Sequence, residues 1–91
     1  MVFVQLSWGY HKQSMDTELL KMMLGRRIAA YRQELKMTQR ALAEAIEVDP
    51  ARMNRIERGS EMPTAIQVIA LARALNVSSD ELLQVEGMEY A

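Results

Sequence analysis

The segment from residue 38 to residue 59, TQRALAEAIEVDPARMNRIERG, constrains this chain more than any other. It holds two short runs with apolar side chains at helical spacing, and residues 47–49 interrupt them. The apolar positions are Leu42, Ala43 and Ile46 in the first run and Met53 and Ile56 in the second. Spacings of three and four residues place such side chains on one face of a helix. The segment therefore predicts two short helices joined by a tight turn.

Residues with strong positional preferences mark the ends of both helices. Thr38 and Asp49 are favourable N-caps, because their side-chain oxygens accept hydrogen bonds from the free amides of a first turn. Pro50 stands at the first helical position, where its missing N–H costs nothing. Gly59 ends the second helix, as glycine does where the chain must turn left-handed. The local signals thus agree with the apolar pattern.

Three further helices are predicted by the same reasoning. Before the corner, one apolar stripe recurs at three- and four-residue spacing, formed by Leu20, Leu24, Ile28, Tyr31 and Leu35. After it, Thr64 and Ser78 begin Thr-x-x-Gln and Ser-x-x-Glu sequences, which are capping boxes. We therefore expect an all-α fold with five helices, near residues 16–36, 39–46, 50–58, 65–75 and 79–84.

The first 15 residues follow a different pattern. Val2, Val4, Leu6 and Trp8 alternate at period two, which is typical of a strand. A single strand has no evident partner here, so we expect an N-terminal arm (residues 1–15) that is either a short extended segment or disordered. Residues 85–91 resemble a frayed tail. The predicted folded domain is therefore residues 16–84.

Composition excludes several classes of function. The 91 residues include no cysteine and a single histidine, and no nucleophile, base and acid stand in a catalytic pattern. We therefore expect no enzyme activity, no metal site and no cofactor. No apolar run approaches the ~20 residues of a membrane helix, and the N-terminus lacks the features of a signal peptide. These absences favour a cytoplasmic protein without a membrane partner.

The distribution of charge says more than the net charge of −1. Residues 21–58 contain nine Lys and Arg against five Asp and Glu, whereas residues 76–91 contain four acids and no base. The second helix of the corner keeps an outward set of Ala51, Arg52, Asn54, Arg55 and Arg58. A helix fits the major groove of DNA, and such side chains reach base edges or phosphates from it. The alternative is an Arg-rich face that is merely solvated.

The corner resembles the helix-turn-helix of the lambda-repressor/Cro-like family, also called the XRE family. The similarity extends over residues 24–83, from LGRRIAAYRQELKMTQ to ALNVSSDELL. It implies a five-helix lambda-repressor-like DNA-binding domain whose second and third helices form the binding corner. It also implies an ion pair between Arg32 and Glu57 that joins the first helix to the third.

The resemblance further implies roles for single residues on double-stranded DNA. Gln39 would touch the DNA backbone and brace a base-contacting residue, and Arg58 would approach phosphate. The side chains that would face base edges, with Asn54 beside them, are Asp49, Pro50, Ala51 and Arg55. An acid cannot pair with phosphate, though it can accept a hydrogen bond from a cytosine amino group, and proline contacts bases only by apolar surface. Direct readout is therefore expected to depend on Arg52, Asn54 and Arg55, unless specificity is modest.

The chain departs from the family pattern at three helix ends. Lys36, Glu47 and Asn76 stand where the family usually has glycine. A left-handed conformation costs a residue other than glycine about 1 kcal/mol, and asparagine tolerates it best. Either these ends close differently, or the fold absorbs the strain.

The predicted function is that of a sequence-specific DNA-binding transcriptional regulator, in particular a repressor that binds a palindromic operator. One corner of this size contacts half a site, so we expect a homodimer. Its contact is expected at the edge formed by helices 4 and 5, where Ile66, Ile69, Leu83 and Val85 are available. Exchange of the N-terminal strand between chains is the second candidate contact. The alternative is the antitoxin of a toxin–antitoxin pair, with a protein partner held through the N-terminal segment.

Overall fold

The computed structural model describes the backbone of residues 2–84 and the side chains from residue 17 onward. Five helices follow one another: α1 Val2–Glu34, α2 Gln39–Ala45, α3 Pro50–Glu57, α4 Ala65–Leu75 and α5 Ser79–Leu83. All five predicted helices are present, and within the described residues there is no strand. The predicted all-α class is therefore confirmed.

The N-terminus differs from the prediction. α1 begins at Val2 rather than near residue 16, so the segment predicted as extended has a helical backbone that continues into the domain. A lone strand leaves its backbone N–H and C=O groups unpaired when no second strand lies beside it. A helix pairs these groups within its own segment. Extending an existing helix such as α1 also costs less than starting a new one. The tail at residues 85–91 lies outside the described residues.

The core lies between α1 and the four short helices. α1 packs against α3, α4 and α5, α2 packs against α3 and α4, and α4 packs against α5. Twelve apolar side chains form one buried cluster, namely Leu24, Ile28, Leu42, Ala43, Ile46, Met53, Ile56, Val68, Leu71, Ala72, Leu75 and Leu82. The stripe predicted for α1 is buried at its centre only, because Leu35 lies beyond the end of the helix and is exposed.

Every helix after α1 begins with a predicted side-chain cap. Thr38 and Asp49 accept hydrogen bonds from the backbone N–H three residues on. Thr64 and Ser78 form complete capping boxes with Gln67 and Glu81, in which each side chain meets the other residue's backbone N–H. These bonds satisfy first-turn donors that have no partner inside a helix.

The first four helices end in the same way, with a residue in the left-handed conformation. Glycine occupies this position only after α3, at Gly59, whose φ is 80°. The other three positions are Lys36, Glu47 and Asn76, with φ values of 57°, 57° and 58°. In each case the next residue donates its N–H to the carbonyl five residues earlier, as in Met37 to Arg32 and Val48 to Ala43. The ends therefore keep the usual Schellman closure, and three of them carry strain.

Two glycines allow α1 and α3 to approach closely. A Cβ at Gly25 would lie 2.5 Å from the carbonyl oxygen of Ile56, so the α1 backbone runs directly against the end of α3. A Cβ at Gly59 would lie 2.8 Å from the Cα of Met22. Both contacts set the distance between α1 and the C-terminal end of α3. No helix in the described part is long and apolar enough to cross a membrane.

Candidate nucleic-acid interface

The corner of α2 and α3 presents one edge of α3 outward. Met53 and Ile56 point into the core and are at most 1% exposed, while Leu42 and Ala43 of α2 are fully buried beneath them. Val48, in the turn, packs partly buried against the same cluster. Because these contacts fix the orientation of the helix, its remaining side chains occupy defined positions on the surface.

An ion pair fastens α3 to α1, as the resemblance implied. Arg32 Nε lies 2.7 Å from Glu57 Oε2, and Nη2 donates to Oε1 at 3.0 Å. The side chains are 13% and 5% exposed, so water screens the pair weakly. Arg32 also donates to the carbonyl of Met37 at 2.8 Å. The hydrogen bond to Glu57 raises the pKa of Arg32 above its ordinary value, against the opposing effect of burial.

A chain of side-chain amides links this buried pair to the outward face of α3. Gln39 Nε2 donates to Glu57 Oε1 at 2.8 Å, and its Oε1 accepts from Asn54 Nδ2 at 3.4 Å. Asn54 in turn accepts from Arg58 Nη1 at 3.4 Å. Gln39 and Asn54 are half-buried, and Arg58 is exposed. The predicted bracing role of Gln39 is consistent with this arrangement, since it connects the scaffold to Asn54.

The two remaining arginines of α3 share one acid. Glu61, in the connection between α3 and α4, lies 2.7 Å from Arg55 Nε and 3.1 Å from Arg52 Nη1. Arg52 also donates to Gln67 Oε1 at 3.2 Å, and its Nε is buried without a hydrogen-bond partner among the described residues. Arg55 is 49% exposed and Arg52 only 28%. Arg52 is therefore turned toward α4, while Arg55 stays on the open edge.

The pKa values of the acid and of one arginine reflect this contact. The hydrogen bond from Arg55 lowers the pKa of Glu61, with further lowering by the charges of Arg52 and Arg55. The same hydrogen bond raises the pKa of Arg55. Both groups are therefore held in their charged forms.

The first turn of α3 carries the other predicted contact residues. Pro50 and Ala51 are exposed and free of polar groups in their side chains. Asp49 is also exposed, but its Oδ1 accepts from the N–H of Arg52 at 2.8 Å, so one carboxylate oxygen caps the helix. The structure thus brings the predicted residues together along α3 and the start of α2, with Arg52 set back from them.

Glu61 has a position at this face that the sequence did not predict. No periodic pattern links it to the arginines six and nine residues earlier. Gln67 completes the predicted capping box of α4, and it also accepts a hydrogen bond from Arg52. Only the path of the chain after Gly59 brings these groups together. Among the described residues, no cluster of three or more acids and histidines could hold a metal ion.

The sequence relatives of this chain are helix-turn-helix proteins and transcriptional regulators. The profile of the helix-turn-helix family HTH_3 matches residues 28–82. The HTH-type transcriptional regulator YazB of Bacillus subtilis is 39% identical over 62 residues, which cover 68% of this chain and 90% of that protein. Repressor protein C2 of Salmonella phage P22 is 36% identical over 70 residues, covering 77% of this chain and 31% of that protein.

Solved structures agree with the sequence relatives. The P22 c2 repressor, determined in complex with a synthetic operator, superposes with a TM-score of 0.64 at 36% identity, covering 67% of this chain and 92% of that one. The clp gene regulator ClgR of Corynebacterium glutamicum gives 0.68 at 30% identity, covering 70% and 68%. The predictions of a lambda-repressor-like fold and of a regulator rather than an enzyme are confirmed. The chain belongs to the helix-turn-helix family of DNA-binding transcriptional regulators.

Proposed function

We propose that this protein binds double-stranded DNA sequence-specifically and represses transcription, with α3 in the major groove. The observation that carries the proposal is the outward edge of α3. It presents polar and cationic side chains on a helix whose opposite side is locked into the core. The P22 c2 repressor, a relative of this chain, has been solved in complex with a synthetic operator, which supports DNA binding by this fold.

Different side chains of this edge suit different contacts. The terminal nitrogens of Arg55 make no hydrogen bond within residues 17–84, and they match the acceptor pair of a guanine in the major groove. Pro50 and Ala51 offer apolar surface of the kind that contacts a thymine methyl group. Arg58, one turn further on, suits a phosphate. Gln39, at the first position of α2, suits a contact with the DNA backbone, and Asn54 is hydrogen-bonded to Gln39 from α3.

The contacts of Arg52 and Asp49 suit these two residues to different roles. Arg52 is held by Glu61 and Gln67 and is mostly covered, so it stiffens the α3–α4 connection rather than reading a base. Asp49 caps α3 with one carboxylate oxygen, and its other oxygen is the one suited to a cytosine amino group. Direct readout is thus assigned chiefly to Arg55 and Asn54.

We propose that two copies bind a palindromic operator as a homodimer. A single corner covers about half a site, and two-fold dimers place their recognition helices roughly 34 Å apart, which is one turn of B-DNA. α4 and α5 carry the apolar surface suited to such a contact: Ile66 is 78% exposed, Ile69 50% and Leu83 47%. Leu82 is buried in the core, whereas the adjacent Leu83 is exposed, which supports this edge as the dimer contact.

The proposal is tested by selecting bound DNA from a random duplex pool with the purified full chain. Recovery of one palindromic sequence, bound far more tightly than scrambled DNA and with a strong salt dependence, is the expected result. Sedimentation of the wild type and of Ile66→Asp then tests the dimer. The variant should sediment as a monomer and lose affinity for the full palindrome while retaining its fold. Failure to enrich any sequence would exclude specific binding.

The antitoxin alternative makes a different prediction. It requires a protein partner in addition to DNA, held through the N-terminal segment. Co-purification of one small protein in a fixed ratio with the full chain, and its loss when residues 2–15 are deleted, would favour that function.

A further inference from the structure

Glu61 connects the recognition edge to the start of α4. One carboxylate oxygen faces Arg55 Nε at 2.7 Å and the other faces Arg52 Nη1 at 3.1 Å. Arg52 is itself tied to Gln67 Oε1, the atom that accepts from the N–H of Thr64 at 2.9 Å in the α4 capping box. Glu61 is therefore held in place through Arg52, and it in turn holds Arg55.

The contact occupies one particular nitrogen of Arg55. Nε donates to Glu61, whereas neither terminal nitrogen of Arg55 makes a hydrogen bond within residues 17–84. An arginine side chain loses rotamer freedom when it is fixed, which opposes binding. A guanidinium already held at Nε loses less on meeting a base edge, and it presents two parallel N–H donors outward.

Stability and affinity do not account for an acid at this place. A partly exposed ion pair contributes little to folding stability, because water screens it. A carboxylate beside a DNA-binding edge repels phosphate and neutralises an arginine that would otherwise release counterions. Its effect on binding to arbitrary DNA is unfavourable, so its position is better explained by discrimination between sequences.

We propose that Glu61 is a positioning residue for base recognition, which holds Arg55 by Nε so that its terminal nitrogens read a base edge rather than pair with phosphate. This inference rests on the proposed function. Under this inference, Glu61 increases the ratio of specific to nonspecific affinity for DNA. At the same time, Glu61 decreases the nonspecific affinity itself.

The experiment measures affinity for the selected palindrome and for a scrambled duplex, over a series of salt concentrations, with wild type, Glu61→Gln and Glu61→Ala. In Glu61→Ala the specificity ratio should fall about tenfold, within the roughly 5- to 150-fold value of one good base contact. Nonspecific affinity should rise, with a salt slope steeper by about one, because the released Arg55 pairs with phosphate. Glu61→Gln keeps an acceptor for Nε and should be intermediate.

Two controls separate positioning from charge and from folding. Glu44→Ala removes an exposed acid of α2 whose side chain makes no hydrogen bond or ion pair within residues 17–84, so it should leave the specificity ratio unchanged. In the Arg55→Ala background, Glu61→Ala should no longer alter the ratio. Thermal unfolding shows whether each variant is folded. If Glu61→Ala does not fold, the comparison of wild type with Glu61→Gln tests the inference instead.

The outcomes distinguish the inference from the function on which it rests. If the wild type discriminates between the two duplexes and Glu61→Ala changes both affinities by the same factor, or neither, the positioning role is wrong. The same holds if Glu61→Ala still lowers the ratio in the Arg55→Ala background. If the wild type shows no discrimination, the proposed function fails first. NMR exchange of the Arg55 Nε proton, slower in wild type than in Glu61→Ala, tests the contact without DNA.

Discussion

Glu57 receives two hydrogen bonds from Arg32, at 2.7 and 3.0 Å, and a third from Gln39 at 2.8 Å. The acid is buried at the end of α3 and its partners come from α1 and α2, so one carboxylate joins the three helices. The angle of α3 depends on this junction as well as on the apolar core.

Glu57→Gln should lower the free energy of unfolding by about 3 kcal/mol. Removing one charge of a buried pair leaves the other, Arg32, uncompensated, which typically costs about 3–5 kcal/mol. Urea unfolding measures the change. Glu18→Gln is the control, because its partner Lys21 is on the same helix and Glu18 is 76% exposed; we expect less than about 0.5 kcal/mol there. Equal changes in the two variants would show that the buried pair has no special structural role.

Gly25→Ala should destabilise the protein although it lies within a helix. Replacing glycine by alanine in a helix normally gains about 1 kcal/mol. Here the new Cβ would lie 2.5 Å from the Ile56 carbonyl oxygen and 2.6 Å from that of Glu57, so α1 and α3 must separate. We expect a loss of about 1–3 kcal/mol, the usual range for overpacking. Gln33→Ala at an exposed α1 position should change little, and a gain in stability for Gly25→Ala would contradict the close approach.

Glycine at the strained helix ends should stabilise the fold. Lys36→Gly and Glu47→Gly should each raise the free energy of unfolding by about 1 kcal/mol, because their φ values of 57° are unfavourable for a side chain with a Cβ. Asn76→Gly should gain clearly less, since asparagine tolerates this conformation. Lys36→Ala keeps the strain and serves as the control. Thermal unfolding of the four variants would show no such order if the ends were not left-handed.

Arg55→Ala and Arg58→Ala should weaken DNA binding in different ways. Arg55→Ala should cost about 1–3 kcal/mol on the selected palindrome and relax the preference at one base pair. Arg58→Ala should weaken all sequences alike and reduce the salt slope by about one. Arg26→Ala, an exposed arginine of α1, is the matched control. The assignment is wrong if both variants lose specificity to the same extent.

The contribution of Glu61 to stability should depend on acidic pH. Its pKa is lowered in the folded state, chiefly by the hydrogen bond from Arg55, so folding favours the ionised carboxylate. The stabilisation is present above the ordinary glutamate pKa of about 4.3 and is lost as the pH falls through the lower, folded value. The difference in unfolding free energy between wild type and Glu61→Gln should therefore diminish below about pH 4. A difference that persists unchanged at pH 2, or is unaffected by Arg55→Ala, would refute this cause.

The sequence alone determined the four short helices and the corner. Thr38, Asp49, Thr64 and Ser78 are caps in the structure because a cap depends on residues only three positions away. The inward positions Met53 and Ile56 follow from helical period in the same way. The family resemblance added the Arg32–Glu57 pair, which no local pattern contains.

Tertiary structure decided what depends on distant groups. Leu82 and Leu83 are adjacent apolar residues of α5, yet Leu82 is fully buried and Leu83 is 47% exposed. The rotation of a short helix about its axis is set by its neighbours, so its own period leaves adjacent positions ambiguous. Arg52 and Arg55 have the same chemistry three residues apart on α3. Only the return of the chain to Glu61 and Gln67 turns one toward α4 and leaves the other at the edge, because a hydrogen bond depends on the position of both partners.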